Sequence, residues 1–203
     1  MQAIGIFGGT FDPIHYGHLR LAEEMADALN LREVRFIPAG FPPHRAAPRT
    51  SAQHRLEMVR RAIAGNPRFV LDEREVRAAR TSYTVDTLAE LRSELGAQQP
   101  LCLLLGADAF LGLPGWHQWQ RLFDLAHIAV AQRPGSNVQT ALPEVLQREM
   151  GMHPAGSVCV VDMTPLAISA SAIRDALAQQ KSVRYLLPDS VLDYLQQQQL
   201  YKS

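Results

Sequence analysis

Five short runs in this chain read as strands, with PLCLLLG apolar throughout: QAIGIFGG, EVRFIPAG, PLCLLLGAD, HIAVAQRPG and SVCVVDM. A strand with one wet face alternates apolar and polar residues. Runs without alternation are buried on both faces, as in a parallel sheet covered by helices. RFVLDEREV reads as a sixth strand. Between these runs the period changes to the helical one. HLRLAEEMADALN places Leu19, Ala22, Met25, Ala26 and Leu29 on one side. SAQHRLEMVRRAIAGN starts with Ser51 as N-cap, and TVDTLAELRSEL, WHQWQRLFDLA, LPEVLQREM, SASAIRDALAQ and PDSVLDYLQQQ follow as helices. This alternation predicts an α/β fold with a doubly wound parallel sheet. The expected organisation is a single domain over 1–203 with a small C-terminal helical part at about 165–203.

In such sheets ligands bind beyond the carboxyl ends of the strands, at a switch in strand order. Two long irregular segments follow strand ends: PAGFPPHRAAPRT at 38–50, and GADAFLGLPGWHQW. Long loops at that place are functional or disordered. The formal net charge is zero, which excludes a bulk electrostatic grip on nucleic acid or an anionic membrane. No run approaches the ~20 apolar residues of a membrane span, and the N-terminus does not read as a signal peptide. Cys102 and Cys159 sit alone in apolar runs, which reads as reduced thiols in a cytoplasmic protein rather than a zinc site or a disulfide framework. Eighteen of the 20 basic residues are arginine, a bias that genomic base composition explains better than forks for phosphate do.

GGTFDPIHYGHLR, at 8–20, concentrates the chemistry. Gly8 and Gly9 remove side-chain bulk from a strand end, so a ligand can approach the backbone. Pro13 stiffens the exit, and a helix starts near His15. His15 and His18 are three apart and share one side of the first turn, with Gly17 keeping the surface low. The free amides of that helix start point to the same place. Imidazoles, amides and glycine clearance together describe a phosphate seat, of neither the G-x-G-x-x-G nor the Walker pattern. The same spacing also occurs in metal sites, but no further ligand stands nearby; ordinary surface histidines at a helix start are the bland alternative, which the Gly-Gly corner disfavours. AISASAIRDAL carries a second seat. Ser169 or Ser171 caps a helix, and Arg174 falls in its first turn against the dipole, an arrangement that an intervening anion would favour.

HYGH at 15–18 and ISASAIR at 168–174 together resemble the signatures of the nucleotidyltransferase superfamily. Within it, PAGFPPHR, TSYTVDTL, LLLGADAF, LPGWHQW, VAQRPG and YLLPDSVLDYL resemble the bacterial nicotinate mononucleotide adenylyltransferases, from about Ile4 to Tyr194. Two positions depart from the family's habit, Ala107 for threonine and Ala170 for serine. The resemblance implies a Rossmann-like nucleotidyltransferase fold. It also implies adenylyl transfer from ATP to nicotinate mononucleotide, giving nicotinate adenine dinucleotide and pyrophosphate in NAD biosynthesis.

Site residues follow from the same resemblance. His15, His18 and Arg174 would be catalytic. Gly8, Gly9, Thr10, Phe11, Gly106, Asp108, Arg133, Ile168, Ser169 and Ser171 would join them around ATP. His44, Arg45, Tyr83, Thr84 and Trp116, again with Thr10 and Phe11, would hold nicotinate mononucleotide. Trp119 is expected in the core, and Asp72, Asp86, His54 and His127 as structural. Mg²⁺ would enter as the Mg–ATP complex. Neither nucleic acid nor membrane is an expected partner, and a homo-oligomer is compatible with the sequence. The rival readings are transfer to nicotinamide mononucleotide, a phosphopantetheine adenylyltransferase and a catalytically silent nucleotide sensor.

Overall fold

The computed structural model describes residues 1–42, 47–78, 80–132 and 153–202. Six strands form one sheet in the order β3-β2-β1-β4-β5-β6. They are β1 (Ile4–Gly9), β2 (Glu33–Pro38), β3 (Phe69–Leu71), β4 (Leu101–Gly106), β5 (His127–Gln132) and β6 (Val158–Asp162). The eight helices among the described residues are α1 (Tyr16–Ala28), α2 (Ala52–Ile63), α3 (Arg74–Ala78), α4 (Thr84–Leu95), α5 (Ala107–Leu111), α6 (Leu122–Leu125), α7 (Ala170–Ala178) and α8 (Asp189–Gln197). The order reverses between β1 and β4, which pair in parallel with Ile4 opposite Leu101 and Ile6 opposite Leu103. β1 ends on the Gly8–Gly9 pair and β4 on Gly106, the strand ends where a doubly wound sheet takes its ligand.

The chain forms two compact units. The first comprises Met1–Gly8, Leu21–Arg35 and Tyr83–Pro165. Its core is the apolar face-to-face content of β1, β4 and β5: Ile4, Ile6, Leu101, Leu103, Leu104, Ile128 and Val130 are all buried. Two polar side chains here, buried Gln99 and half-buried Arg92, close loops. Gln99 donates to the main-chain carbonyls of Gln2 and Pro100 at 2.9 and 3.1 Å. Arg92, near the end of α4, reaches the carbonyls of Gln99, Leu125 and Pro154.

The second unit comprises Gly9–Arg20, Phe36–Ser82 and Leu166–Ser203. Ser51 caps α2 as its sequence predicts, accepting the His54 N–H at 3.2 Å. Several arginines of this unit are matched to carboxylates. Arg60 bridges Glu57 and Glu73, Arg61 pairs with Glu57, and Arg74 with Asp72.

Two expectations change. RFVLDEREV is strand only over Phe69–Leu71; Asp72 Oδ1 then accepts the Arg74 N–H at 3.1 Å and opens α3. An Asx turn ahead of charged residues competes with the ladder. WHQWQRLFDLA is not one helix. Gln118 stands at φ 49° and breaks it, leaving a 3₁₀ turn at Trp119–Arg121 and the short α6. The segment before it, taken as irregular, contains α5 and a 3₁₀ turn at Leu113–Gly115. Trp119 is half-buried, its ring edge against Phe123, so it is not a core residue. The helix expected at LPEVLQREM lies outside the described residues.

Candidate active site

The corner after β1 is shaped by one ring. Phe11 is buried at φ 50°, and its ring fills the space beside Gly9. A Cβ on Gly9 would stand 2.8 Å from that ring, so the missing side chain makes room for Phe11. Gly8 is the open position: it is exposed, and nothing lies within 4 Å of where its Cβ would be. Phe11 also packs on Phe36 and meets the His18 ring edge-on at 5.1 Å.

His15 sits at the N-cap of α1, its carbonyl accepting the N–H of His18 at 2.9 Å. His18 returns the bond: its Nδ1 accepts the His15 N–H at 3.3 Å, the reciprocal half of a capping box. A main-chain amide only donates, so Nδ1 carries no proton and the neutral ring holds its hydrogen at Nε2. The two imidazoles stack at 3.8 Å with planes 26° apart. His15 is the deeper, 5% exposed, and burial pushes its pKa down to about 4. It is neutral at pH 7. Among the described residues its Nδ1 has no hydrogen-bond partner. Gly17 makes this stack fit, because a Cβ there would lie 3.0 Å from the His15 ring and 3.6 Å from the Ile168 carbonyl.

Those last contacts bring the late motif alongside the early one. Ser169 caps α7, accepting the Ala172 N–H at 3.2 Å, and its hydroxyl lies 3.2 Å from that of Ser171. Both serines are exposed. Arg174, one turn into α7, donates through Nη1 to the Asp12 main-chain carbonyl at 2.7 Å. HYGH and ISASAIR, some 150 residues apart in sequence, are neighbours within the second unit.

The remaining expected residues fall into two groups. In the first unit, Tyr83 precedes α4 at its N-cap and Thr84 opens that helix; both are half-buried. Trp116 is half-buried, while Asp108 in α5 is exposed. His44, Arg45 and Arg133 lie outside the described residues. His54 and His127 have structural surroundings: His54 Nδ1 lies 2.8 Å from the Tyr194 hydroxyl, and His127 is bonded at both nitrogens.

Sequence reasoning missed four residues, three in the second unit and His117 in the first. Asp12 is buried, and its carboxylate accepts the Arg49 N–H at 2.7 Å, the Thr50 hydroxyl at 2.7 Å and the Tyr201 hydroxyl at 2.6 Å. Arg55, 1% exposed, donates to the carbonyls of Thr10 and Gly40, each at 2.9 Å. Burial pushes the Arg55 pKa down, and nearby Asp12 opposes that shift. The His117 ring lies tilted against Tyr83, centroids 4.4 Å apart and planes at 38°. An aspartate inside GGTFDP and an arginine on an apolar helix face are signals of burial; Tyr201, lying beyond every motif, carried none.

The cytidylyltransferase-like family matches residues 6–176. A protein of Dechloromonas aromatica (strain RCB) named "Probable nicotinate-nucleotide adenylyltransferase" is 54% identical, over 100% of this chain and 99% of its own. A protein of Halorhodospira halophila (strain DSM 244 / SL1) with the same name is 54% identical over 94% of this chain and 91% of its own. Among solved structures, the Plasmodium falciparum nicotinic acid mononucleotide adenylyltransferase complexed with NaAD superposes with a TM-score of 0.77 at 18% identity. That match covers 99% of this chain and 98% of the other, and at such identity it is a likeness of fold.

Proposed function

The chain belongs to the cytidylyltransferase-like family, with the nicotinate-nucleotide adenylyltransferases, and from that premise we propose that it adenylates nicotinate mononucleotide. ATP supplies the adenylyl group, and the products are nicotinate adenine dinucleotide and pyrophosphate, a step of NAD biosynthesis. One observation carries the site: the two motif segments are neighbours in one compact unit, with Gly17 facing the Ile168 carbonyl and Arg174 bonded to the Asp12 carbonyl, three residues before HYGH.

An oxygen of the mononucleotide's phosphate attacks the α-phosphorus of ATP. A P–O bond forms there, and the bridging P–O bond to the β-phosphate breaks, its electron pair leaving with pyrophosphate. The attacking oxygen is already anionic, so no general base is needed. The protein's work is alignment and relief of negative charge. His18 Nε2–H is the donor to an α-phosphate oxygen. Neutral His15 supports it by stacking and adds no charge. Arg174, Ser171 and the free amides at the start of α7 take the β- and γ-phosphates. Gly8, Gly9, Thr10 and Phe11 form the corner, and Ile168 and Ser169 the rim. Gly106, Asp108 and Arg133 serve ATP; Tyr83, Thr84, Trp116, His44 and Arg45, with Thr10 and Phe11, serve the mononucleotide.

Mg²⁺ belongs to ATP in this scheme, neutralising charge on the triphosphate. Among the described residues no three His, Cys, Asp or Glu side chains gather as a metal site. Two free cysteines, Cys102 and Cys159, suit the cytoplasm as the place of work.

The test measures pyrophosphate and dinucleotide formation with the acid and the amide mononucleotide offered side by side. Preference for the amide would reassign the substrate. In the same assay His18→Asn keeps an acceptor near the place of Nδ1 but has nothing where Nε2 stood. We expect kcat to fall by about 10²–10³-fold, the usual loss for one such donor, with the melting temperature nearly unchanged. A near-wild-type kcat would remove His18 from the reaction.

A further inference from the structure

We propose that Tyr201 is a positioning residue: through the Asp12 carboxylate it latches the far end of the 38–50 loop to the corner after β1. The argument starts with the end of α8. Gln199 stands at φ 51°, the Leu200 N–H returns to the Leu195 carbonyl at 3.0 Å, and the Gln199 N–H to the Gln196 carbonyl at 3.3 Å. This is a Schellman termination, made here without glycine. It turns the chain back, and Tyr201 follows in a second left-handed conformation, φ 62°. Such a conformation is strained for an aromatic residue and persists only where something holds it. What holds it is the hydroxyl, which donates to Asp12 Oδ1 at 2.6 Å and lies 3.4 Å from Thr50 Oγ1.

Asp12 is the meeting point. Its Oδ1 also takes the Thr50 hydroxyl and its Oδ2 the Arg49 N–H, both at 2.7 Å. The corner itself has separate supports, since Arg55 binds the Thr10 carbonyl and Arg174 the Asp12 carbonyl. The Arg49–Thr50 end of the loop is held on the carboxylate that Tyr201 orients. Loss of the phenol hydroxyl therefore loosens the loop end more than the corner. The consequence for catalysis rests on the functional reading above, in which His44 and Arg45 of this loop meet the mononucleotide.

Tyr201→Phe keeps the ring and removes the donor. Two measurements are made on the full chain, well below the melting temperature. Hydrogen exchange of the Arg49 amide should quicken at least ten-fold, while amides of β4 keep their protection. The KM for nicotinate mononucleotide should rise several-fold, with the KM for ATP changing less than two-fold. Thr50→Val, which removes the other donor to the same oxygen, should act the same way, and the double variant should be less than additive. If Tyr201→Phe lowers the melting temperature but leaves Arg49 exchange and both KM values at wild type, the residue is merely structural and the latch is wrong. If Arg49 exchange quickens but the wild-type protein forms no dinucleotide, the latch stands and the functional reading fails.

Discussion

His127 in the first unit and His15 in the second are both buried imidazoles whose pKa burial lowers. Their surroundings differ. His127 Nδ1 accepts the Ser157 N–H at 3.2 Å and its Nε2 meets the His153 carbonyl at 2.8 Å, so the ring stitches the approach to β6. His15 has an Nδ1 with no partner among the described residues and a ring spent on stacking. The same contrast runs through both units. Thr87, Gln99, His127 and Ser157 are the buried polar residues of the first, all uncharged side chains. Among the described residues Asp12, His15 and Arg55 are those of the second, and two of the three have a polar atom without a partner there: His15 Nδ1 and Arg55 Nε. Burying polar groups costs free energy unless they are paired. In the first unit Gln99 and His127 close loops; in the second Asp12 and His15 sit beside the two motifs, and Asp12 and Arg55 also hold loop ends.

The largest test of this contrast is acid. His15 has a folded pKa of about 4 against 6.5 unfolded. Above pH 6.5 neither state binds the proton and stability is flat. As pH falls below 6.5, the unfolded chain takes up a proton that the folded chain refuses. The folded state loses up to about 3 kcal/mol by pH 4, where its own ring protonates and the loss stops. Denaturant unfolding of His15→Leu should lack that share of the acid slope, with turnover down at least ten-fold. An unchanged slope would place the titration elsewhere.

Next in size is His127→Leu. It strands the Ser157 N–H and the His153 carbonyl and should cost about 2 kcal/mol in urea unfolding. Its kcat should stay at wild type; a large fall would erase the division between the two histidines. Smallest is Gly17→Ala, which presses a methyl against the His15 ring at 3.0 Å. We expect about 1 kcal/mol of lost stability and a several-fold lower kcat. No change in either would mean the stack relaxes freely.

The strands and most helices were legible because a buried parallel strand and an amphipathic helix impose their periods on the residues. The limits of that reading are local. Asp72 ends β3 by bonding the next turn, and Gln118 breaks a helical pattern by its φ, neither of which periodicity reports. The histidine pair and the late serine–arginine motif were legible as chemistry, since their residue types are unusual for plain packing. The use of Gly9 was only half legible, because the space it leaves is filled by Phe11, two residues on. Tyr201 and Arg55 were not legible as site residues at all. The Tyr201 hydroxyl bonds a carboxylate 189 positions away and Arg55 a carbonyl 45 positions away, distances over which sequence carries no spacing rule.

The capping bond from His15 to His18 has one more effect. A ring that spends one nitrogen holding up the helix has no second lone pair to pick up a proton and hand it on, so it cannot serve as a relay. Its orientation is set before any nucleotide arrives, and its contribution lasts only while the first turn of α1 stays wound. Local fraying at that turn would switch off chemistry without disturbing the sheet, a form of failure that activity would report long before bulk unfolding did.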